Sequence, residues 1–169
     1  SMSRPLTTSI LLTLALGLSS QALSKDQKDA DSKAPVYQIE RHVLGPGVGF
    51  DKEGRCQVQK GRQLKSWRVP GFPARIPHFE SCTQVFSPQG GTVEFRILIK
   101  NKAGEELTAV DGVLELGSPG SGGQAAQAIN WDDVEIPSAG LYHMLVEVEG
   151  KEIARYPMRF SRRARKKKK

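Results

Sequence analysis

Thr92-Val93-Glu94-Phe95-Arg96-Ile97-Leu98-Ile99-Lys100 places Val93, Phe95, Ile97 and Ile99 on one face of an extended chain, because side chains of a strand alternate with a period of two. Asn101-Lys102-Ala103-Gly104 closes the segment as a turn. Leu141 to Glu149 follows the same rule, with Tyr142, Met144, Val146 and Val148 facing in and His143, Glu147 and Glu149 facing out. Glu149-Gly150-Lys151 then turns the chain into Ile153 to Phe160, where Ala154, Tyr156, Met158 and Phe160 share a face. Two alternating runs joined by a tight turn read as a β-hairpin.

The segments upstream fit the same class. Val36 to Val43 is rich in β-formers and ends at Gly45-Pro46-Gly47. Gly45-Pro46-Gly47-Val48-Gly49 is no phosphate-cradling loop, since Phe50-Asp51-Lys52-Glu53-Gly54 behind it is a turn and offers no helix N-terminus. It reads as a loop leading into a hairpin whose second arm is Cys56 to Gln59. Leu64 to Val69 is apolar, and Pro70, Pro73 and Pro77 then exclude a helix and predict an extended crossing between sheets. Gly112 to Leu116 is a short strand, and Gly117 to Gly123 has the composition of a flexible loop. Ala125-Ala126-Gln127-Ala128-Ile129 has the composition of a helical turn, yet no run of ten residues after the leader carries helix periodicity. Short strands with Gly and Pro punctuation predict an all-β chain, an antiparallel β-sandwich.

The order of the motifs narrows this further. Trp67 to Pro77, the strand from Thr92, Asn101-Lys102-Ala103-Gly104 and Leu114-Glu115-Leu116-Gly117-Ser118-Pro119-Gly120 follow one another. Ile136-Pro137-Ser138-Ala139-Gly140-Leu141-Tyr142 and Val148 to Phe160 complete the series. In this order they resemble a bacterial family of uncharacterised immunoglobulin-like β-sandwich domains, in which a Pro-x-x-Gly-x-Tyr strand pairs with a final Gly-x-x-Ile-x-x-x-Pro strand. The resemblance covers about the last two-thirds of the domain. It implies an immunoglobulin-like fold and no transferable activity. The chain departs from that family in carrying a leader and a basic tail.

The leader has three parts: Arg4, the apolar run Ile10 to Leu18, and the small residues Ser20 and Ala22 flanking Gln21. This is the pattern of a secretory signal peptide over residues 1–24, cleaved after Ala22 or Ser24. The apolar run is far short of the roughly 20 residues that span a bilayer, so no transmembrane segment is expected. Lys25 to Pro35 is charged and lacks large apolar residues, which makes residues 25–35 a flexible linker ahead of a sandwich domain at 36–161. The expected location is secreted or periplasmic, where the lone pair Cys56 and Cys82 is predicted to form a disulfide.

The formal charge of +7 is unevenly placed. Seven of the 25 Lys and Arg fall in residues 162–169 and one, Arg4, in the leader; the remainder has 17 against 18 acidic residues, a charge of −1. A basic groove across the domain is therefore not expected. Arg162, Arg163, Arg165, Lys166, Lys167, Lys168 and Lys169 form a tail predicted to be disordered and polybasic, drawn to anionic lipid or to nucleic acid.

Catalytic signals are absent. His42, His78 and His143 are scattered without ligand spacing and read as solvated or edge residues; His143 falls on an outward face. Asp132, Asp133 and Glu135 and the pair Asp51 and Glu53 read as acidic turns, with too few oxygens at fixed offsets for a calcium loop. Trp67, with Val69 on its face, reads as core, and Trp131 is either core or an exposed stacking platform for sugars. No catalytic or metal residue and no cofactor is expected. Two functional expectations follow. One is a secreted non-enzymatic binding or structural module with a protein or envelope partner; the other is a polyanion-binding protein held at an anionic surface or on nucleic acid by its tail.

Overall fold

The computed structural model describes residues 36–167, and ten strands make up about two-thirds of them. The expected leader (1–24), the linker (25–35), Lys168 and Lys169 lie outside the described residues. In order the strands are β1 (Gln38–Gly45), β2 (Gly47–Phe50), β3 (Cys56–Lys60), β4 (Ser66–Val69) and β5 (Ala74–Ser87). They continue as β6 (Thr92–Asn101), β7 (Glu106–Glu115), β8 (Gly123–Ile136), β9 (Gly140–Val148) and β10 (Lys151–Arg162).

One sheet has the order β1-β5-β8 and the other β4-β10-β9-β6-β7, with β2-β3 as a separate hairpin. Every pairing is antiparallel except that of β10 with β4, which is parallel. The predicted inward residues of β6 and β9 are all buried, and they meet Leu44, Phe79, Val85, Ile129 and Trp131 of the smaller sheet in one core. Gly112 on β7 lies directly under the Phe95 ring, a position where any Cβ would clash. This is an immunoglobulin-like sandwich, as expected.

Five aromatic side chains run in contact from one sheet to the other. Trp131 on β8 stacks near Phe79 on β5 (centroids 6.1 Å), and Phe79 meets Trp67 on β4 edge-on (5.7 Å). Trp67 stacks on Phe160 of β10 (4.9 Å), which meets Tyr142 of β9 edge-on (5.3 Å). Such pairs contribute about 0.5–1.5 kcal/mol each beyond area burial. Both polar ends of the row are satisfied. Trp131 Nε1 donates to Ser81 Oγ at 2.9 Å, and Tyr142 Oη donates to the Ser138 carbonyl at 2.7 Å. The second bond is a tyrosine corner and gives the Pro137-x-x-Gly140-x-Tyr142 motif its physical meaning. Trp131 is thereby core, not an exposed sugar platform.

Several sequence expectations need correction. Ala125 to Ile129 is extended, not helical. Those residues belong to β8, which pairs with β5 from Gly123 to Ile136, and the ladder overrides alanine's helix preference. Asp132, Asp133 and Glu135 lie on that same strand rather than in a turn. The strand begun at Gly112 in the sequence reading starts at Glu106. β5 continues well past the prolines to Ser87 and forms the middle of its sheet. Gly47 to Phe50, taken as part of a loop, is the first arm of the hairpin.

The Cys56–Cys82 disulfide is formed, with Cα atoms 5.6 Å apart. It ties β3 to the outward face of β5, where Val43, Val48, Val58 and Ala126 gather round it in a small second core. The bridge thus holds the β2-β3 hairpin over the smaller sheet instead of joining the two sheets.

Two outcomes are expected in equilibrium denaturation. Cys56→Ser with Cys82→Ser lowers stability by about 3–4 kcal/mol, the loop-closure value for a separation of 26 residues. Tyr142→Phe, which removes the bond to the Ser138 carbonyl, costs about 0.5–1.5 kcal/mol at unchanged denaturant m-value.

Candidate functional site

The parallel pairing of β10 with β4 sets Phe160 beside Trp67, Ser161 beside Arg68 and Arg162 beside Val69. Trp67, Val69, Met158 and Phe160 point into the core, so alternation turns Arg68 and Arg159 outward, and both are exposed. The pairing extends beyond the strand. Arg163 N donates to the Val69 carbonyl at 2.8 Å, Arg163 Nε to the Arg68 carbonyl at 3.1 Å and Arg162 Nε to the Pro70 carbonyl at 3.2 Å. The expected disordered segment 162–169 is therefore corrected at its root, because Arg162 belongs to β10 and Arg163 is bonded to β4. Ala164, Arg165, Lys166 and Lys167 follow in irregular, exposed chain.

The electrostatic consequence lies in the acceptors. Carbonyl oxygens satisfy guanidinium donors without cancelling their charge. Ion pairs among the described residues engage Arg55, Arg75, Arg96, Arg155 and His78, and none engages Arg68, Arg159, Arg162, Arg163, Arg165, Lys166 or Lys167. Seven cations thus share one edge of the larger sheet and the chain leaving it. Beside them the turn from Val69 to Arg75 lines a shallow, open hollow of about 420 Å³, and Arg162 bonds its Pro70 carbonyl. The sequence reading found the tail cations and missed Arg68 and Arg159, which only the β4-β10 register brings to the same edge.

The remaining candidates fall elsewhere. Cys56 and Cys82 are fully buried. Asp51 accepts from Glu53 N and Arg55 N at 2.9 Å and from Arg55 Nε at 2.8 Å, which holds its carboxyl below the ordinary range, the Arg55 backbone bond being the largest cause. That carboxylate closes its own turn. The three histidines lie on β1, β5 and β9, and no three His, Cys, Asp or Glu side chains converge as a metal site among the described residues.

His78 is exposed and bracketed by carboxylates. Its Nδ1 lies 2.6 Å from Asp132 Oδ1 and its Nε2 3.5 Å from Glu80 Oε2, so the two acids sit on opposite nitrogens and share no point with the ring. The hydrogen bond to Asp132 is the main cause of a raised His78 pKa. The pair marks a kink. Ile76 and Phe79 both face inward, so the inward phase slips by one residue around Pro77 and His78; opposite them Asp133 adopts φ 52°. His42 departs most from expectation. Read as solvated or edge, it does lie on the edge strand β1 and is half-buried, but its ring points between the sheets and stacks on Tyr156, centroids 3.8 Å apart.

Residues 47–161 match a family of unknown function, DUF6941, and the chain belongs to that family. The matched span contains every motif from Trp67 to Phe160 on which the resemblance rested. No curated protein matches the sequence. Among solved structures, an immunoglobulin-like protein from Pseudomonas aeruginosa aligns at 15% identity and TM-score 0.36, covering 74% of this chain and 96% of that one. A Pseudomonas fluorescens alkylpurine DNA glycosylase, AlkC, aligns at 11% identity and TM-score 0.40, over 74% of this chain and 30% of its own. A β-glucosidase from Listeria innocua aligns at 5% and 0.43, over 75% and 16%. The chain thus spans less than a third of the glycosylase and less than a fifth of the glucosidase.

A raised histidine pKa stabilises the fold below the unfolded value of about 6.5, and that contribution is lost as pH rises through the folded value. In an NMR titration His78 is expected to titrate above 6.5, and Asp132→Asn to bring it back toward that value. An unchanged midpoint in the variant would remove Asp132 as the cause.

Proposed function

We propose that this DUF6941 member is an exported, non-enzymatic sandwich module that binds a polyanion through the β4-β10 edge and the basic chain that leaves it. The observation that carries the reading is that, among the described residues, no ion pair engages the seven cations there, two of them held by bonds to backbone carbonyls of a rigid strand pair. A preformed root costs little ordering entropy when an anion is engaged, while the following residues adapt to spacing in the ligand. The leader pattern and the disulfide support export. The motif-poor distribution of His, Cys and acidic residues supports a non-enzymatic role, since catalysis needs a convergent set of groups.

Three chains separate the parts: full length, a truncation after Arg163 that keeps the bonded root, and that truncation with Arg68→Ala and Arg159→Ala. On a heparin column the salt needed for elution is expected to fall at each step. With duplex DNA the loss of Arg165 and Lys166 to Lys169 is expected to flatten the slope of log affinity against log salt by about 4.5, at roughly 0.9 per contact. Vesicles containing phosphatidylglycerol give the same ranking if an anionic leaflet is the target. Equal elution of all three chains would sink the proposal.

A further inference from the structure

His42 occupies a position that alternation reserves for core. On β1, Arg41 and Val43 face the hairpin side, while His42 and Leu44 face the larger sheet. The imidazole is nearly parallel to the Tyr156 ring of β10, at an interplanar angle of 8°. Its Nδ1 is 2.9 Å from Thr83 Oγ1, the neighbour across the β1-β5 pair, and Thr83 is buried. Its Nε2 is buried and has no partner, the one such side-chain atom among the described residues. In either neutral tautomer one edge of the ring is therefore unsatisfied, at a cost of about 1–3 kcal/mol.

Neutral imidazole tolerates this position; imidazolium does not. A cation would need an acceptor on both nitrogens, and only Thr83 is offered. The groups in contact with the ring are neutral: Tyr156 from β10, whose own pKa is raised by burial, and Thr83 from β5; next in that cross-strand row is Gln127 of β8, also neutral. Arg155 on β10 points to the opposite face of its sheet and pairs with Glu152. Glu40 and Arg41, next to His42 on β1, are exposed. Burial alone lowers the His42 pKa to about 4, with no charged neighbour contributing.

We infer that the His42–Tyr156 stack is an acid-released clasp, which holds the edge strand β1 against the larger sheet at neutral pH and lets it go when the ring is protonated. β1 is an edge strand paired only with β5, so its release breaks one ladder and the bond from Leu64 N to the Leu44 carbonyl, and withdraws Val43 and Leu44 from their clusters. The disulfide joins β3 to β5 and bypasses β1, so the rest of the sandwich and its hairpin stay tied. The opened state exposes Tyr156 and the β5 edge, a template for another strand. The sign follows from linkage. A histidine with a depressed folded pKa leaves stability intact above about 6.5, and stability falls as pH drops from there toward about 4.

Amide exchange of the full chain at pH 7 and pH 4, corrected for intrinsic rates and followed in low denaturant, is expected to show β1 amides exchanging through a denaturant-insensitive local opening that becomes about a hundredfold more frequent at pH 4, while β6 and β9 exchange only through the denaturant-dependent global opening. The His42 ring is expected to titrate near 4 by NMR. His42→Phe, which keeps an aromatic stack and cannot protonate, is expected to abolish the pH difference in β1. A His42 midpoint near 6.5, β1 amides exchanging only through the same denaturant-dependent opening as β6, or an undiminished pH difference in His42→Phe would each overturn the clasp. Should that variant not fold, the wild-type midpoint and the β1-to-β6 comparison decide the matter alone.

Discussion

The row of five aromatic rings from Trp131 to Tyr142 is the interaction on which the remaining geometry depends. It crosses the gap between the sheets once, where Phe79 meets Trp67. Trp67 belongs to a strand of only four residues, too short to hold its place by backbone bonds alone. Its indole, wedged between Phe79 and Phe160, keeps β4 against β10 and sets their parallel register. That register turns Arg68 and Arg159 outward together and carries the pairing on to Arg163. A packing contact in the core thus decides where surface charge collects.

β5 imposes the second constraint, because both of its faces are covered. Phe79, Ser81, Thr83 and Val85 face the larger sheet, while Cys82 and Gln84 lie beneath the hairpin. A strand buried on both sides is usually apolar throughout. Here the polar members each have a partner: Ser81 holds Trp131, Thr83 holds His42, and Gln84 accepts from Cys56 N and donates to Gln124. The exception is the far nitrogen of His42. One unsatisfied atom in an otherwise closed network is where local stability is most sensitive to a proton.

These two strands also explain what could be read from sequence. β6, β9 and β10 carry polar residues along most of their outer face, with Leu98 and Leu145 the buried exceptions, so their alternation is plain, and so is the turn at Gly150. The inner half of β5, Glu80-Ser81-Cys82-Thr83-Gln84, shows no alternation because neither face is wet and hydrogen bonds take the place of apolar contact. β8 was hidden by its Ala and Gln content, since small side chains suit a strand that lies partly beneath a hairpin yet carry a helix preference of their own. The disulfide was legible as a pair, but the layer it fastens was not. His42 was misread because nothing in Glu40-Arg41-His42-Val43 distinguishes an inward imidazole from an outward one until the bulge between Ile39 and Arg41 has fixed the phase.

The charge distribution shows why net charge and local field must be separated. The chain outside the leader and residues 162–169 is close to neutral, which argued against a basic surface on the domain. Neutrality on average still permits segregation. Acidic residues on the larger sheet gather toward its other end, where Asp111, Arg96, Glu147 and Glu152 form one cross-strand row, and Arg96 and Arg155 are drawn into ion pairs there. The cations on β4 and at the end of β10 have only carbonyls for partners. Fields of like charges on a single edge add, and screening over roughly 8 Å at physiological salt separates that edge from acids farther along the strands. The basic surface is therefore a product of strand register: Arg68 is 91 residues from Arg159 in sequence, and the β4-β10 ladder sets them on one outward face.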